Sequence, residues 1–273
     1  MGKRAFLAGA AVGGLAAFAA GVYLGSQLPR QPTDREPHLE AVEEPDVTAA
    51  YNRMMRLPHI RFLMRRIIYG ALPAEMRGQA IDLGCGPGQL VIDLAQRYPV
   101  LHVTGLDLSA EMLDLARRNA DEAGVGDRIE FKAGNAEDMP FPDGHFDLVV
   151  STLSLHHWTD PVTVLNEVAR VTRPGGHYRI YDLRRDVARP LWTLLALVTQ
   201  TVLPRPLRRV GGPLTSIAAA YRPAEAEHLA AESRLSGWRV QAGPAWLVIA
   251  GQAQYAIRNT QHTHSVYHEQ TAS

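Results

Sequence analysis

Three glycines alternate at the end of a short apolar run, in Ala80-Ile81-Asp82-Leu83-Gly84-Cys85-Gly86-Pro87-Gly88, and the next apolar run closes on Gly105-Leu106-Asp107, nineteen residues after Gly88. Glycines at the carboxyl end of a strand permit a tight turn and let a ligand approach the main chain with no Cβ in the way. An acidic residue ending the following strand accepts hydrogen bonds from ribose hydroxyls. Together they describe a nucleoside-binding α/β domain, with Gly84, Gly86 and Gly88 as the loop and Asp107 as the ribose partner.

Spacing separates two ligand classes. The dinucleotide fingerprint is Gly-x-Gly-x-x-Gly, with a helix amino terminus facing a pyrophosphate. Here the pattern is Gly-x-Gly-x-Gly, Gln89 stands where the third dinucleotide glycine belongs, and the loop has no arginine or lysine to meet phosphates. Both departures oppose a nicotinamide oxidoreductase.

Apolar runs at Ala80 to Leu83, Leu101 to Leu106, Ile129 to Lys132, Leu148 to Thr152 and Tyr178 to Leu183 read as buried strands, separated by helical patterns such as Glu111 to Ala123. The alternation implies a parallel sheet with helices on both faces. Trp238 to Ala242 and Ala245 to Ala250, joined at Gly243-Pro244, read as a terminal hairpin. Ser109 is placed as the N-cap of the helix after Asp107. Tyr51 to Leu72 has near-helical apolar spacing that Pro58 interrupts. Asp147 reads as the start of a buried strand.

The loop resembles motif I of the class I S-adenosylmethionine (SAM)-dependent methyltransferases, and four further segments match that family in order and spacing. Gly134-Asn135-Ala136-Glu137-Asp138-Met139-Pro140-Phe141 resembles the loop that packs on adenine, and Phe146 to Ser151 the fourth strand. Leu155-His156-His157-Trp158-Thr159-Asp160 resembles the following loop in the type 11 branch, which includes the ubiquinone and menaquinone biosynthesis methyltransferases, and Arg170 to Gly176 the turn into strand five. The resemblance covers residues 46–252. It implies an α/β, Rossmann-like, doubly wound, mainly parallel seven-stranded sheet with an antiparallel last strand, and a cap insertion over 186–222. It also implies SAM as cofactor, bound by Asp82, Gly84, Cys85, Gly86, Gly88, Asp107, Leu108, Met112, Asn135, Ala136, Glu137 and Ser151. Leu153 belongs with Ser151 near the cofactor's methionine portion or the acceptor.

Methyl transfer from a sulfonium is an in-line displacement, so the protein chiefly positions the nucleophile and excludes water. A base is needed only where the acceptor is protonated, and histidine titrates in the working range. His156 and His157 are the candidates, against the alternative that they only hydrogen-bond neighbouring loops. Cys85 is the only cysteine, which excludes an intramolecular disulfide and a thiolate zinc site; within the loop it reads as a small packed residue. No metal is expected. The formal charge is zero, so no basic excess points to nucleic acid.

The amino terminus is a separate unit. Lys3-Arg4 precede Ala5 to Leu28, 24 residues without a charge, which as a helix would run ~36 Å against a hydrocarbon core of ~30 Å. Residues 1–28 are therefore read as an anchor helix, with a cleaved signal peptide ending near Ala17-Phe18-Ala19 and a twin-arginine-like signal as alternatives. SAM is made in the cytosol, so the catalytic domain is expected to face it, yet Lys3 and Arg4 favour a cytosolic amino terminus and the orientation stays open. Residues 29–45, with four prolines, read as an extended linker, and 253–273, with His262, His264 and His268, as a polar tail. Leu191 to Leu203, followed by Arg205, Arg208 and Arg209, reads equally as a packed helix or as one lying in a bilayer interface, so residues 190–209 are a second membrane candidate. The expected function is methylation of a lipophilic acceptor of quinone-ring, isoprenoid or phospholipid class at a membrane, with a SAM-binding, non-catalytic scaffold as the alternative.

Overall fold

Strands buried on both faces must be covered on both faces, and the chain does this with helices after the first, second and fourth strands and again after the fifth. The computed structural model describes residues 34–36, 44–69 and 72–254. Five parallel strands, β1 (Gly78–Leu83), β2 (Leu101–Asp107), β3 (Ile129–Ala133), β4 (Phe146–Thr152) and β5 (Thr172–Leu183), are followed by the hairpin β6 (Arg239–Ala242) and β7 (Trp246–Gln252). The order across the sheet is β3-β2-β1-β4-β5-β7-β6, and β7 runs antiparallel to β5 from His177 opposite Gln252 to Leu183 opposite Trp246. The seven-stranded sheet with an antiparallel end is thus the one expected. The helix placed at 1–28, most of the 29–45 linker and the histidines of the tail lie outside the described residues. No helix among those described is long and apolar enough to cross a membrane.

The side-chain period of two is visible in the core. Ala80, Leu148 and Val150 pack on one face with Ile68, Val91, Leu94 and Val103, while Ile81, Leu83 and Val149 pack on the other with Val164, Leu165, Val168 and Ile180. Burying such side chains contributes roughly 1.5–3 kcal/mol each. Because β1 pairs with β2 on one side and β4 on the other, the strand order reverses there, and a crevice opens beyond the carboxyl ends of these strands.

Local signals set the helix starts. After α1 (Pro45–Met55), Pro58 opens α2 (Pro58–Tyr69), because a missing N–H costs nothing in a first turn. α3 (Gln89–Arg97) follows the glycine loop. α4 (Ala110–Glu122) begins at Ser109, whose Oγ accepts the Met112 amide at 3.2 Å, and α5 (Pro161–Val171) at Asp160, whose Oδ1 accepts the Thr163 amide at 3.1 Å. Strand β5 starts earlier than the apolar run suggested. Its pairing with β4 shifts register between Phe146 and Leu148, which absorbs Arg173-Pro174-Gly175 as an irregularity.

Four helices lie between β5 and β6: α6 (Arg189–Thr201), α7 (Arg205–Arg209), α8 (Pro213–Ala219) and α9 (Pro223–Glu232), each with a proline in its first turn. The first three fall within residues 186–222, the stretch read as a cap. α6 packs on α8, and α8 on the turn Leu155–His157. The cap is joined to the sheet by Glu225, which accepts bonds from Arg185, the Arg222 amide (2.9 Å) and the Arg222 guanidinium. Burial pushes the Glu225 carboxyl up, but the Arg185 and Arg222 donors override it and hold it down at about 2. A depressed carboxyl stabilises the fold above its unfolded value and loses that contribution as pH falls through the folded one. Denaturation midpoints should therefore drop between pH 4.5 and 2; Glu225→Gln should be less stable at pH 7 and lose less across that window.

Candidate active site

The glycine loop is held open from two sides. Gly84, Gly86 and Gly88 all have positive φ, at 66°, 50° and 77°, where a side chain is strained by about 1–2 kcal/mol. A Cβ on Gly84 would lie 2.4 Å from Ser154 Oγ, so β1 and the turn after β4 touch there. A Cβ on Gly86 would meet nothing within 4 Å, so this peptide faces the open cleft. On the outer side, Asn119 of α4 donates to the Pro87 carbonyl at 2.8 Å and to Asn52 of α1 at 3.1 Å, fastening the loop to the amino-terminal helices.

Asp107 ends β2 with its carboxylate across the loop. Oδ2 accepts the Gly86 amide at 2.7 Å and Oδ1 the Ser109 amide at 2.9 Å. A carboxylate offers about four lone-pair sites, so capacity remains for two hydroxyls. Burial pushes its pKa up, against the Ser109, Gly86 and Leu108 amides, which pull it down. Asp82, in β1, is more extreme: it is buried, neither carboxylate oxygen has a hydrogen-bond partner, and burial together with the Asp107 charge drives its pKa well above the usual carboxylate range. A buried carboxylate with neither oxygen partnered is a departure from ordinary core packing.

The other expected cofactor residues fall around this pair. Leu108 projects into solvent at 75% exposure next to Asp107, whereas Met112 packs inside α4. Asn135, Ala136 and Glu137 form the loop after β3; Asn135 Oδ1 accepts the Glu137 amide at 3.0 Å, and Glu137 Oε1 accepts the Asp160 amide at 3.0 Å. Arg170 braces that loop, donating to the Met139 and Phe141 carbonyls at 2.9 and 2.7 Å. Cys85 is buried, with its thiol pushed up by burial first and then by Asp82 and Asp107, and its Sγ would be 2.9 Å from a Cβ on Gly105. It is a packing residue, without thiolate character. Ser151 is fully buried and its Oγ donates to the Leu83 carbonyl at 2.8 Å, which ties β4 to β1. Leu153 adopts φ +57° at the end of β4, the one non-glycine with positive φ among the described residues. Such strain collects at functional turns.

Both histidines sit on the turn after Leu153. His156 is buried; Asp182, at the end of β5, accepts its amide at 2.7 Å and lies 2.8 and 2.9 Å from its Nδ1. Those contacts assign the proton to Nδ1, and Nε2 is buried with no partner. The His157 ring lies 3.9 Å from that of His156, tilted by 41°. Sequence reasoning did not single out Asp182, although a carboxylate inside Ile180-Tyr181-Asp182-Leu183 was the available signal.

Two arginines also escaped notice. Arg61 of α2 lines the cleft with Tyr51, Met55, Gly86 and Thr152, and with Arg65 grips the buried Asp93 of α3. Arg35, in a segment expected to be a free linker, donates to the carbonyls of Ala219 (2.7 Å) and His156 (3.0 Å) and lies 4.3 Å over the Tyr221 ring. The stretch 34–36 is therefore a strap across cap and turn.

Residues 81–180 match the family model described as a methyltransferase domain. The chain is 38% identical over 113 residues to the 27-O-demethylrifamycin SV methyltransferase of Amycolatopsis mediterranei, covering 41% of each. It is 29% identical over 231 residues to the demethylmenaquinone methyltransferase of Deinococcus radiodurans, covering 80% of this chain and 93% of that one. Of the rifamycin enzyme and two further curated relatives the chain spans about half the length, 41 to 55%. The fold is also that of the geranyl diphosphate C-methyltransferase of Streptomyces coelicolor, with a TM-score of 0.54 and 17% identity over 82% of this chain and 90% of that one.

The two glycines separate fold from binding. Gly84→Ala should destabilise the protein, because Ser154 has to move. Gly86→Ala should fold with only the backbone strain of about 1–2 kcal/mol, yet bind S-adenosylhomocysteine at least tenfold more weakly by calorimetry. Unchanged affinity in Gly86→Ala would place the nucleoside elsewhere.

Proposed function

We propose, from the premise that this chain belongs to the class I SAM-dependent methyltransferases, that it methylates a small lipophilic acceptor held between the glycine loop and the cap, with His156 as the base. SAM is the cofactor of that family, and when bound it supplies an electrophilic methyl group on a sulfonium. The residues fit it: Gly86 leaves room for a ligand against the backbone, Asp107 keeps capacity for ribose hydroxyls, and Asp82 has two oxygens in want of a donor such as an ammonium. Asn135, Ala136 and Glu137 supply the wall for the base, and Leu108 an exposed apolar cover.

The observation that carries the catalytic part is the His156–Asp182 pair. Asp182 fixes the ring by accepting both the His156 amide and Nδ1–H, so the Nε2 lone pair is the free one. His156 Nε2 accepts the proton that an acceptor hydroxyl or activated ring carbon loses as it attacks the methyl, and Asp182 stabilises the imidazolium that results. The turn is next to the loop, since Ser154 abuts Gly84 and the Trp158 Nε1–H donates to Ser154 Oγ at 3.0 Å. The cap and the Arg35 strap lie against this turn and exclude water, which strengthens the pair.

A lipophilic acceptor at a membrane surface is supported by the outer face of the cap. Trp192, Leu197 and Val202 of the α6 region are exposed, and Arg205 and Arg208 follow; an apolar face flanked by arginines suits the headgroup boundary of an anionic bilayer. Ala5 to Leu28 would add an anchor, with the catalytic domain facing the cytoplasm, where SAM is made.

Label from methyl-labelled SAM should appear in a lipid extract of membranes, with demethylmenaquinone as the first defined acceptor to try. Once an acceptor is found, His156→Ala and Asp182→Asn should each lower kcat at saturating acceptor by about 100-fold while leaving the S-adenosylhomocysteine Kd unchanged. Turnover within a few-fold of wild type in both variants would remove the base, and absence of label in every fraction would favour a non-catalytic SAM-binding scaffold.

A further inference from the structure

We propose that a second cavity, where the carboxyl end of α2 meets β5, β6 and β7, binds a phosphate-type oxyanion between Arg179 and Arg239. The cavity has a volume of about 130 Å³, is lined by Leu72, His177, Arg179, Arg239 and Gln252 among others, and shares no lining residue with the cleft at the glycine loop.

Its charge is uncompensated. Arg179 is 6% exposed; one nitrogen, Nη2, donates to the Ile67 carbonyl at 3.0 Å, and Nε is buried with no partner. Burial and repulsion by Arg239 both press its pKa down, with no carboxylate acting in the opposite sense. His177 beside it is likewise lowered, by burial first and then by Arg179. Arg239, on the outermost strand opposite Ala250, makes no ion pair with any described residue. The Ile67 carbonyl belongs to the last turn of α2, where a helix end favours a cation, and this accounts for one nitrogen of Arg179. It gives no reason for a second guanidinium facing the same space.

A buried cation is kept charged at low cost only when an anion accompanies it. Two guanidiniums converging on a small cavity suit an oxyanion, because each planar fork presents parallel N–H donors to two oxygens. A free phosphate compound and the headgroup phosphate of a lipid share that chemistry. The site lies outside the residues assigned to methyl transfer, so occupancy does not require SAM.

Calorimetric titration of the full chain with inorganic phosphate, at constant ionic strength, reads the first source. Flotation with phosphatidic acid vesicles against phosphatidylcholine vesicles reads the second. Each is repeated with Arg239→Gln, an exposed position whose loss should not lower the denaturation midpoint, since it relieves repulsion of Arg179, and should leave S-adenosylhomocysteine affinity unchanged. Saturable phosphate binding, weakened tenfold or more by the substitution, assigns a free phosphate ligand. Selective phosphatidic acid binding that Arg239→Gln abolishes, without binding of free phosphate, assigns a lipid. If wild type and variant are indistinguishable in both arms, the proposal is wrong.

Discussion

The Asp107 carboxylate holds the site together. It closes β2, accepts the Gly86 amide from the neighbouring strand's loop and the Ser109 amide that opens α4, and so fixes the turn in which three alternating glycines take positive φ. Without that bridge the loop would have no reason to leave its backbone open to the cleft. Asp82, close behind it, is buried with no donor of its own, and the neighbouring Asp107 charge adds to the cost of ionising it. In the reading proposed above, a ligand that brings hydroxyls and a cation would answer both carboxylates, which is the chemistry of a nucleoside carrying an amino acid.

Much of this could be read from residues alone. Each glycine of the loop answers a backbone need that other residues meet only with strain, so their spacing survives as a signal in one sequence. The central strands β1, β2 and β4 were legible because both faces are buried, which produces continuous apolar runs; across the sheet only the strand ends moved, most of all at β5, where Arg173-Pro174-Gly175 reads as a turn but is carried into the strand by a register shift against β4. The break at Pro58 was legible for the same reason that it occurs.

What could not be read depends on contacts between distant segments. Asp182 looks like an ordinary strand-end carboxylate until β5 lies beside the turn after β4, 26 positions away in sequence from His156. Arg35 looked like a solvated linker residue, and only its reach to Ala219 and His156 makes it part of the cap. The hydroxyl of Ser151, expected near the cofactor, is engaged by the Leu83 carbonyl, a pairing set by the β1–β4 register. Local propensity is silent on all three, since each is a tertiary hydrogen bond.

The nucleoside seat underlies every other feature of the site, and titration of the full chain with S-adenosylhomocysteine tests it most directly. One equivalent should bind saturably to the folded protein, with NAD giving no comparable heat, because the loop lacks the third dinucleotide glycine and any basic residue for a pyrophosphate. A folded protein that takes up no S-adenosylhomocysteine at millimolar concentration, or that binds NAD more tightly, would contradict it.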